Sequence, residues 1–205
     1  MTSYIDTYVA GSGASITITG IIPKQEVSFP AFLTSFSDNM TSNWNEEQVY
    51  GRPDPIGTFQ NTSRKISLGF DAPAASLAEA KKNLNNINSV KQFMYPAYSS
   101  GTAPASGSLP EVTTNALSLA KSPLVRLKFA NLIQNQAEAG LLGWISSFSA
   151  TPVIEMGMFN EKAKLYPKVY NISIDFTPQH EFDLGYDHSG GAIDPKFTKF
   201  PYDGA

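Results

Sequence analysis

The densest cluster of residues that could perform chemistry lies near the C-terminus and contains both histidines of the chain. It consists of His180, Glu181, Asp183, Asp187 and His188. Imidazoles and carboxylates can bind a divalent metal or act as a general acid and base. The spacing matches no closed metal motif, because two histidines eight residues apart in a glycine-containing loop share neither a helix face nor a strand face. We therefore expect a solvated loop, with no metal site and no catalytic residue.

The rest of the chain offers no other familiar catalytic motif. The absence of cysteine excludes disulfides, thiolate nucleophiles, iron–sulfur clusters and cysteine zinc sites. Gly11 and Gly13 lie in a short run that lacks the lysine of a phosphate-binding loop, and there is no G-x-S-x-G elbow. We expect a protein that is not an enzyme and uses no cofactor. A metal-dependent hydrolase built on the loop from His180 to His188 remains the less favoured alternative.

Composition limits the size of the fold and its partners. The 205 residues, 41% of them hydrophobic, suffice for one domain, or one domain plus an arm. Charged residues make up only 16% and the formal net charge is −3, so no basic surface for nucleic acid or an anionic membrane is expected. No segment has the pattern of a signal peptide or a membrane span, which predicts synthesis in the cytoplasm.

Alternation of apolar and polar residues predicts that the chain is mostly β. The clearest case runs from Tyr170 to Phe176, where Ile172 and Ile174 share the apolar face. Residues 65–70 and 125–129 repeat the pattern. Weaker apolar runs, broken by Gly, Pro and Asn, predict further strands at residues 16–22, 27–36, 49–50 and 142–150.

One segment has helical periodicity. Its apolar residues are spaced by three, four or seven positions: Leu77, Ala80, Leu84, Ile87 and Met94. Ser76, followed three residues later by Glu79, forms a capping box that satisfies backbone donors at a helix start. The sequence therefore predicts a helix over residues 76–92 that covers one face of an antiparallel sheet, which is an α+β fold.

Two segments have no regular pattern. Residues 99–122 contain no aromatic residue and are rich in Ser, Thr, Ala, Gly and Pro, which predicts a long loop that orders against a partner. Residues 181–205 mix Gly, Asp and Pro with Phe197, Phe200 and Tyr202, among other aromatics. We predict a domain over 1–180 and an extended C-terminal arm over 181–205 that docks on a neighbouring subunit.

The segment 50–56 is chemically unusual, because Pro53 and Pro55 hold Arg52 and Asp54 in extended geometry and remove two backbone donors. It is either a rigid connector between strands or a fixed ridge that contacts a partner. Six aromatic residues could form a stacking platform for sugars or bases. Positions in the core or at an interface are favoured for them. They are Trp44, Tyr50, Phe59, Tyr95, Tyr98 and Trp144.

The order of these features resembles one known family. The order comprises Trp44, Tyr50-Gly51-Arg52-Pro53-Asp54-Pro55, the alternating strand at 65–70, the capped helix, Tyr95-Pro96-Ala97-Tyr98, a long loop of small residues, Ser122-Pro123-Leu124-Val125-Arg126-Leu127 and Asn131-Leu132. Over about residues 26–178 it is similar to the baseplate hub and tail-tube-initiator proteins of contractile-tailed bacteriophages. The strongest pieces are the Tyr-Gly-Arg-x-Asp-Pro segment and the Tyr-Pro-x-Tyr segment.

The resemblance implies the tail-tube fold: two packed antiparallel sheets with a flanking helix, and a homo-hexameric ring whose lumen passes DNA without binding it. It implies a structural virion protein whose partners are itself and other tail-tube and baseplate proteins. The resemblance puts Tyr50, Arg52, Asp54 and Pro55 near neighbouring subunits. The resemblance does not distinguish an initiator, a hub adaptor and a tube subunit. A carbohydrate-binding β-sandwich is the alternative from another functional class.

Overall fold

The computed structural model describes residues 15–30, 32–100, 117–134 and 140–202, and in this part of the chain the predicted α+β, mostly β class is confirmed. The strands are β1 (Ser15–Gly20), β2 (Glu26–Pro30), β3 (Phe32–Glu47), β4 (Ile56–Pro73), β5 (Ala97–Ser100), β6 (Leu117–Lys121), β7 (Val125–Phe129), β8 (Leu141–Pro152), β9 (Met158–Glu161), β10 (Lys164–Pro167) and β11 (Val169–Pro178). One α-helix, α1, spans Leu77–Phe93, and short 3-10 helices span Ile154–Met156 and Pro195–Lys199.

Seven strands form one antiparallel sheet in the order β2-β1-β7-β8-β11-β4-β3. In a flat sheet, strand spacings of about 4.8 Å would separate the two edge strands by about 29 Å. One residue, however, separates the end of β2 from the start of β3, and the chain reaches at most about 7 Å between Pro30 and Phe32. The sheet therefore curls strongly, so that its two edge strands approach each other at this corner.

Curling places two halves of the same sheet face to face. Phe29 of β2 and Phe70 of β4 are both fully buried, and their rings lie 5.7 Å apart. One core cluster accordingly includes residues from both halves, such as Ile18 of β1 and Ile172 of β11. The expected two-layer packing thus comes from one curled sheet, with two small two-stranded sheets, β5–β6 and β9–β10, beside it.

Strands with one buried face match their sequence patterns. β7 and β11 bury alternate residues as predicted, and β8 spans the weaker candidate at 142–150. The candidate at 27–36 divides into β2 and the first part of β3, which lie at opposite edges of the sheet. The predicted strand at 49–50 is wrong: these residues lie in the connection between β3 and β4.

Helix α1 begins where the capping residues predict. The Ser76 hydroxyl accepts a hydrogen bond from the Glu79 amide at 3.3 Å, and the Glu79 carboxylate accepts one from the Ala75 amide at 2.7 Å. The buried face, however, is rotated from the predicted stripe. Its buried residues are Ala80, Asn83, Ile87, Val90 and Phe93, whereas Leu84 and Met94 are only half-buried.

Asn83 explains part of this rotation, because its side-chain amide donates to the Pro73 carbonyl at 3.1 Å. A buried amide with a hydrogen-bond partner is tolerated in a core, and periodicity of apolar residues does not detect it. The helix contacts β1, β2 and β10.

The predicted loop at 99–122 is corrected at both ends. Ser99 and Ser100 belong to β5, residues 117–121 form β6, and these two strands pair antiparallel. Residues 101–116 lie outside the described part of the chain.

Candidate interaction surface

The longest pair of strands, β3 and β4, forms a hairpin that extends beyond the sheet. β4 pairs with β11 only from Ile66 to Pro73, whereas its pairing with β3 continues from Asp71 to Ile56. We call residues 39–63 the distal hairpin. Apart from a half-buried Asn43, its residues are exposed, on both faces of the ribbon.

The sequence-predicted segment 50–56 supplies most of the tip of this hairpin. Tyr50, Arg52, Asp54 and Pro55 are all exposed there, and Tyr50 is fully so. Gly51 has a φ of +80°, a left-handed conformation that a glycine adopts without a Cβ penalty. The Arg52 amide closes the turn by donating to the Val49 carbonyl at 3.2 Å. The segment therefore connects β3 to β4 at the tip of the hairpin, where its exposure is also compatible with a ridge that contacts a partner.

An aromatic pair lies partway along the distal hairpin. Trp44 and Phe59 are cross-strand partners whose rings meet edge to face at 5.3 Å, and they remain 56% and 52% exposed. Cross-strand aromatic pairs stabilise a two-stranded ribbon. Met40, also exposed, lies opposite Arg64 nearer the base. The distal hairpin thus presents large apolar side chains that its own chain leaves uncovered.

At the base of the hairpin, Arg64 and Asp38 form an ion pair that sequence reasoning did not predict. Nε of Arg64 donates to Oδ1 of Asp38 at 2.9 Å, and Nη2 donates to Oδ2 at 2.5 Å. Only 4% and 6% of the two side chains are exposed. Nη1 of Arg64 is buried without a hydrogen-bond partner among the described residues. A guanidinium so buried is tolerated because its partner is bidentate.

The C-terminal arm covers this pair. Phe200 and Tyr202 lie under the Arg64 guanidinium, with ring centroids 5.2 and 5.9 Å from Cζ. The Tyr202 hydroxyl donates to Oδ2 of Asp38 at 2.8 Å. At the start of the arm, Glu181 accepts two hydrogen bonds from Arg126 of β7, at 2.8 and 2.5 Å.

Aromatic rings hold the arm together internally. Phe197 and Phe200 stack at 5.8 Å, Tyr186 meets Phe197 at 5.2 Å, and His180 meets Phe200 edge to face at 5.0 Å. We call six ring-bearing residues of the arm the aromatic clasp: His180, Phe182, Tyr186, Phe197, Phe200 and Tyr202. The expectation of an extended arm is therefore corrected: residues 180–202 fold back, with a 3-10 helix, onto the sheet of the same chain.

Electrostatics at the base of the hairpin are coupled. Burial alone would raise the pKa of the Asp38 carboxyl, but hydrogen bonds from Arg64 and Tyr202 outweigh it and lower that pKa. Burial and the Asp38 carboxylate together raise the pKa of Tyr202. The pKa of His180 is lowered, first by burial and then by the Arg64 charge, against an opposing contribution from Asp38.

The five residues of the sequence-predicted polar cluster do not come together as one site. His180 packs in the aromatic clasp, Glu181 pairs with Arg126, and His188 is exposed. The Asp187 carboxylate accepts hydrogen bonds from the Ser189 hydroxyl and from the Ser189 and Gly191 amides, which lower its pKa and shape a turn. Within the described ranges, no group of three or more His, Asp or Glu side chains could hold a metal ion.

The candidate aromatics are all at the surface. Trp44, Tyr50 and Phe59 lie on the distal hairpin, Tyr95 and Tyr98 lie after α1 and in β5, and Trp144 lies on β8. A core position is thus wrong for every one of them. Their exposure is compatible with the two surface alternatives, an interface and a ligand platform.

The structure separates the seven predicted interface residues into two groups. Those from residue 50 to 55 are at the tip of the hairpin, while Phe200 and Tyr202 contact its base and Phe197 stacks on Phe200. About nine strand residues, or about 30 Å, separate base from tip. The Arg64–Asp38 pair was missed because Arg64 and Asp38 are 26 residues apart in sequence, and no local pattern joins them.

Comparison with known proteins gives no family assignment. No protein-family model and no curated protein matches the sequence. A solved structure matches weakly: the Dit (gp 19.1) protein of phage SPP1, presented as a paradigm of the hub adsorption apparatus in phages that infect Gram-positive bacteria. The identity is 6% and the TM-score is 0.39 over 80% of this chain. The chain spans about half, 49%, of that protein's length.

The part of the chain that the structure describes contains no helix with the length and apolar character required to cross a membrane.

Proposed function

We propose that this chain is a structural subunit of a phage tail, and that its distal hairpin is covered by a second copy of the chain when subunits assemble into a ring. The observation that carries the proposal is the distal hairpin itself, a two-stranded ribbon exposed on both faces. An isolated two-stranded ribbon is marginally stable in water, so 25 residues of it are best explained by a partner.

The outer edge of β3 supports the same proposal. Among the described residues β3 pairs only with β4, although it is 16 residues long. A long edge of unpaired backbone donors and acceptors is a template for another strand, and natural proteins blunt or cover such edges. A second copy that adds a strand there would satisfy this backbone. It would also bury Trp44 and Phe59.

The ring and the phage tail come from the sequence resemblance to baseplate hub and tail-tube-initiator proteins. A hexamer in the virion, with DNA passing through the lumen, follows that family pattern. The formal charge of −3 is compatible with passage, because sequence-independent DNA binding requires clustered Lys and Arg. We expect no binding of free DNA at physiological salt.

Sedimentation velocity and negative-stain electron microscopy test the proposal. The wild-type chain should form rings with rising concentration, and the variant Trp44→Thr/Phe59→Thr should stay monomeric with an unchanged far-UV circular dichroism spectrum. Threonine preserves strand propensity. The matched control is Trp144→Thr, which removes an exposed indole from β8 and should assemble as the wild type does.

Assembly of the double variant at wild-type concentration would contradict the proposed surface, and so would an equal loss of assembly in the control. A wild-type chain that stays monomeric at every concentration would contradict self-assembly. Glycan binding by that monomer, lost in the double variant, would favour the carbohydrate-binding alternative.

A further inference from the structure

The arm contacts the base of the hairpin through a small set of interactions that all meet at the Arg64–Asp38 pair. Arg64 faces the rings of Phe200 and Tyr202, and Asp38 accepts the Tyr202 hydroxyl. His180 meets the same Phe200 ring edge to face at 5.0 Å. A histidine therefore packs within the same cluster as a buried guanidinium.

We propose that the aromatic clasp closes over the Arg64–Asp38 pair while His180 is neutral and opens when His180 is protonated. The first reason is the burial of His180 among apolar rings. His180 is half-buried among Phe182 and Phe200, and apolar surroundings disfavour the charged form of an imidazole.

The second reason is the charge that faces His180 from each neighbouring element. β4 contributes the Arg64 cation and β3 contributes the Asp38 anion, and these are the two charges that act on the imidazole. Asp38 is already engaged by two nitrogens of Arg64 and by the Tyr202 hydroxyl. Within the arm, Glu181 is held by Arg126, Asp187 accepts hydrogen bonds in its own turn and Asp194 caps the 3-10 helix. The other charged groups of the arm are Asp183 and the two lysines of that helix. Protonation of His180 thus adds a cation beside a buried guanidinium.

The direction of the pH effect follows from these surroundings. The pKa of His180 in the closed arm is lowered from 6.5 by burial and by Arg64, so the open arm binds the proton more tightly. Closure is complete above pH 6.5 and weakens as the pH falls through the lowered pKa. Asp38 stays ionised over this window, because its own pKa is lowered from 3.8. Protonation of the ion pair therefore cannot account for opening in this window.

Opening has a structural consequence at the hairpin. The rings of Phe200 and Tyr202 lie against the Arg64 guanidinium, and the exposed Met40 is the cross-strand neighbour of Arg64. Their departure would extend the exposed face of the distal hairpin down to the Arg64–Asp38 pair.

The absence of native cysteine allows a direct distance measurement with two spin labels. Thr41→Cys in β3 and Thr198→Cys in the arm are both exposed positions. Pulsed electron paramagnetic resonance of the full chain should give one narrow distance at pH 8. At pH 5 a longer, broader population should increase at least threefold, with the far-UV circular dichroism unchanged.

Two variants make the assignment to His180 specific. His180→Phe keeps an aromatic ring against Phe200, His180→Gln is a neutral polar substitute, and neither titrates. Both should keep the narrow distance at pH 5, whereas the control His188→Gln should open as the wild type does. Identical wild-type distributions at pH 8 and pH 5 would overturn the proposal. So would opening in both His180 variants, or loss of the circular dichroism together with label separation, which would make the arm part of the cooperative core.

Discussion

The two halves of the β3–β4 hairpin have the same backbone pairing but opposite surroundings. Between residues 66 and 71, β4 lies between β3 and β11 and buries Ile66, Leu68 and Phe70 in the core. Between residues 56 and 63 the same strand pairs only with β3, and every residue is exposed. Arg64, covered by the arm, marks the boundary between the two halves.

This difference shows which part of the hairpin is stabilised by contacts within the same chain. The inner half is held by burial, worth about 25 cal/mol per Å² of apolar surface. The distal half has backbone hydrogen bonds, exposed side-chain hydrogen bonds such as that from Asn43 to Asn61, and the Trp44–Phe59 pair. Such exposed contacts contribute modestly in water. This contrast is the basis of our proposal that the distal hairpin contacts a second subunit.

The sharpest test of the difference compares two phenylalanines of β4. Phe70→Ala should lower the free energy of unfolding by about 3 to 5 kcal/mol, because it leaves a cavity in a packed core. Phe59→Ala should lower it by less than about 1 kcal/mol, because its ring is already half in water. Urea denaturation of the monomer measures both. Equal losses of unfolding free energy in the two variants would contradict the difference between the inner and distal halves.

The boundary residue should behave like the inner half. Arg64→Met should cost about 3 to 5 kcal/mol of unfolding free energy, because Asp38 would be left as a buried, unpaired charge. The neighbouring Lys65→Met is the control: its exposed contact with Asp175 at 3.3 Å should be worth about 0 to 1 kcal/mol. A mild Arg64→Met variant would show that Asp38 is solvated, contrary to its burial in the structure.

The sequence predicted the inner half far better than the distal half. Alternation at 65–70 and at 170–176 was visible because one face of each strand is buried. Residues 39–47 show no such period, since polar and apolar side chains are exposed on both faces alike. The arm was misjudged for a different reason: its aromatics have partners in β3 and β4 more than 100 residues away, and only the fold brings Tyr202 to Asp38.

Helix α1 offers a second comparison of buried and half-buried positions. Ile87 is 2% exposed and Leu84 is half-buried. Ile87→Ala should therefore cost about 2 to 5 kcal/mol, and Leu84→Ala clearly less. The exposed Asn85→Ala serves as the control in the same thermal or chemical denaturation series. If Leu84→Ala lowered the free energy of unfolding more than Ile87→Ala, the buried face would be the one predicted from periodicity and not the rotated face of the structure.

The smallest expected effect concerns one hydroxyl. Tyr202→Phe keeps the ring under Arg64 and removes the hydrogen bond to Asp38, which should cost about 0.5 to 1.5 kcal/mol. Tyr50→Phe at the fully exposed tip should leave the melting temperature unchanged. A Tyr202→Phe variant that is as stable as the wild type would mean that the arm contributes through its rings alone.

Hydrogen exchange of the distal hairpin, read by mass spectrometry in the monomer and in the assembled state, tests the central claim most directly. The account predicts that amides of residues 39–47 and 56–63 exchange rapidly in the monomer and become protected on assembly. Amides of β11 should be protected in both states. If the distal amides exchanged equally fast in the assembled protein, the hairpin would not be the surface through which subunits meet.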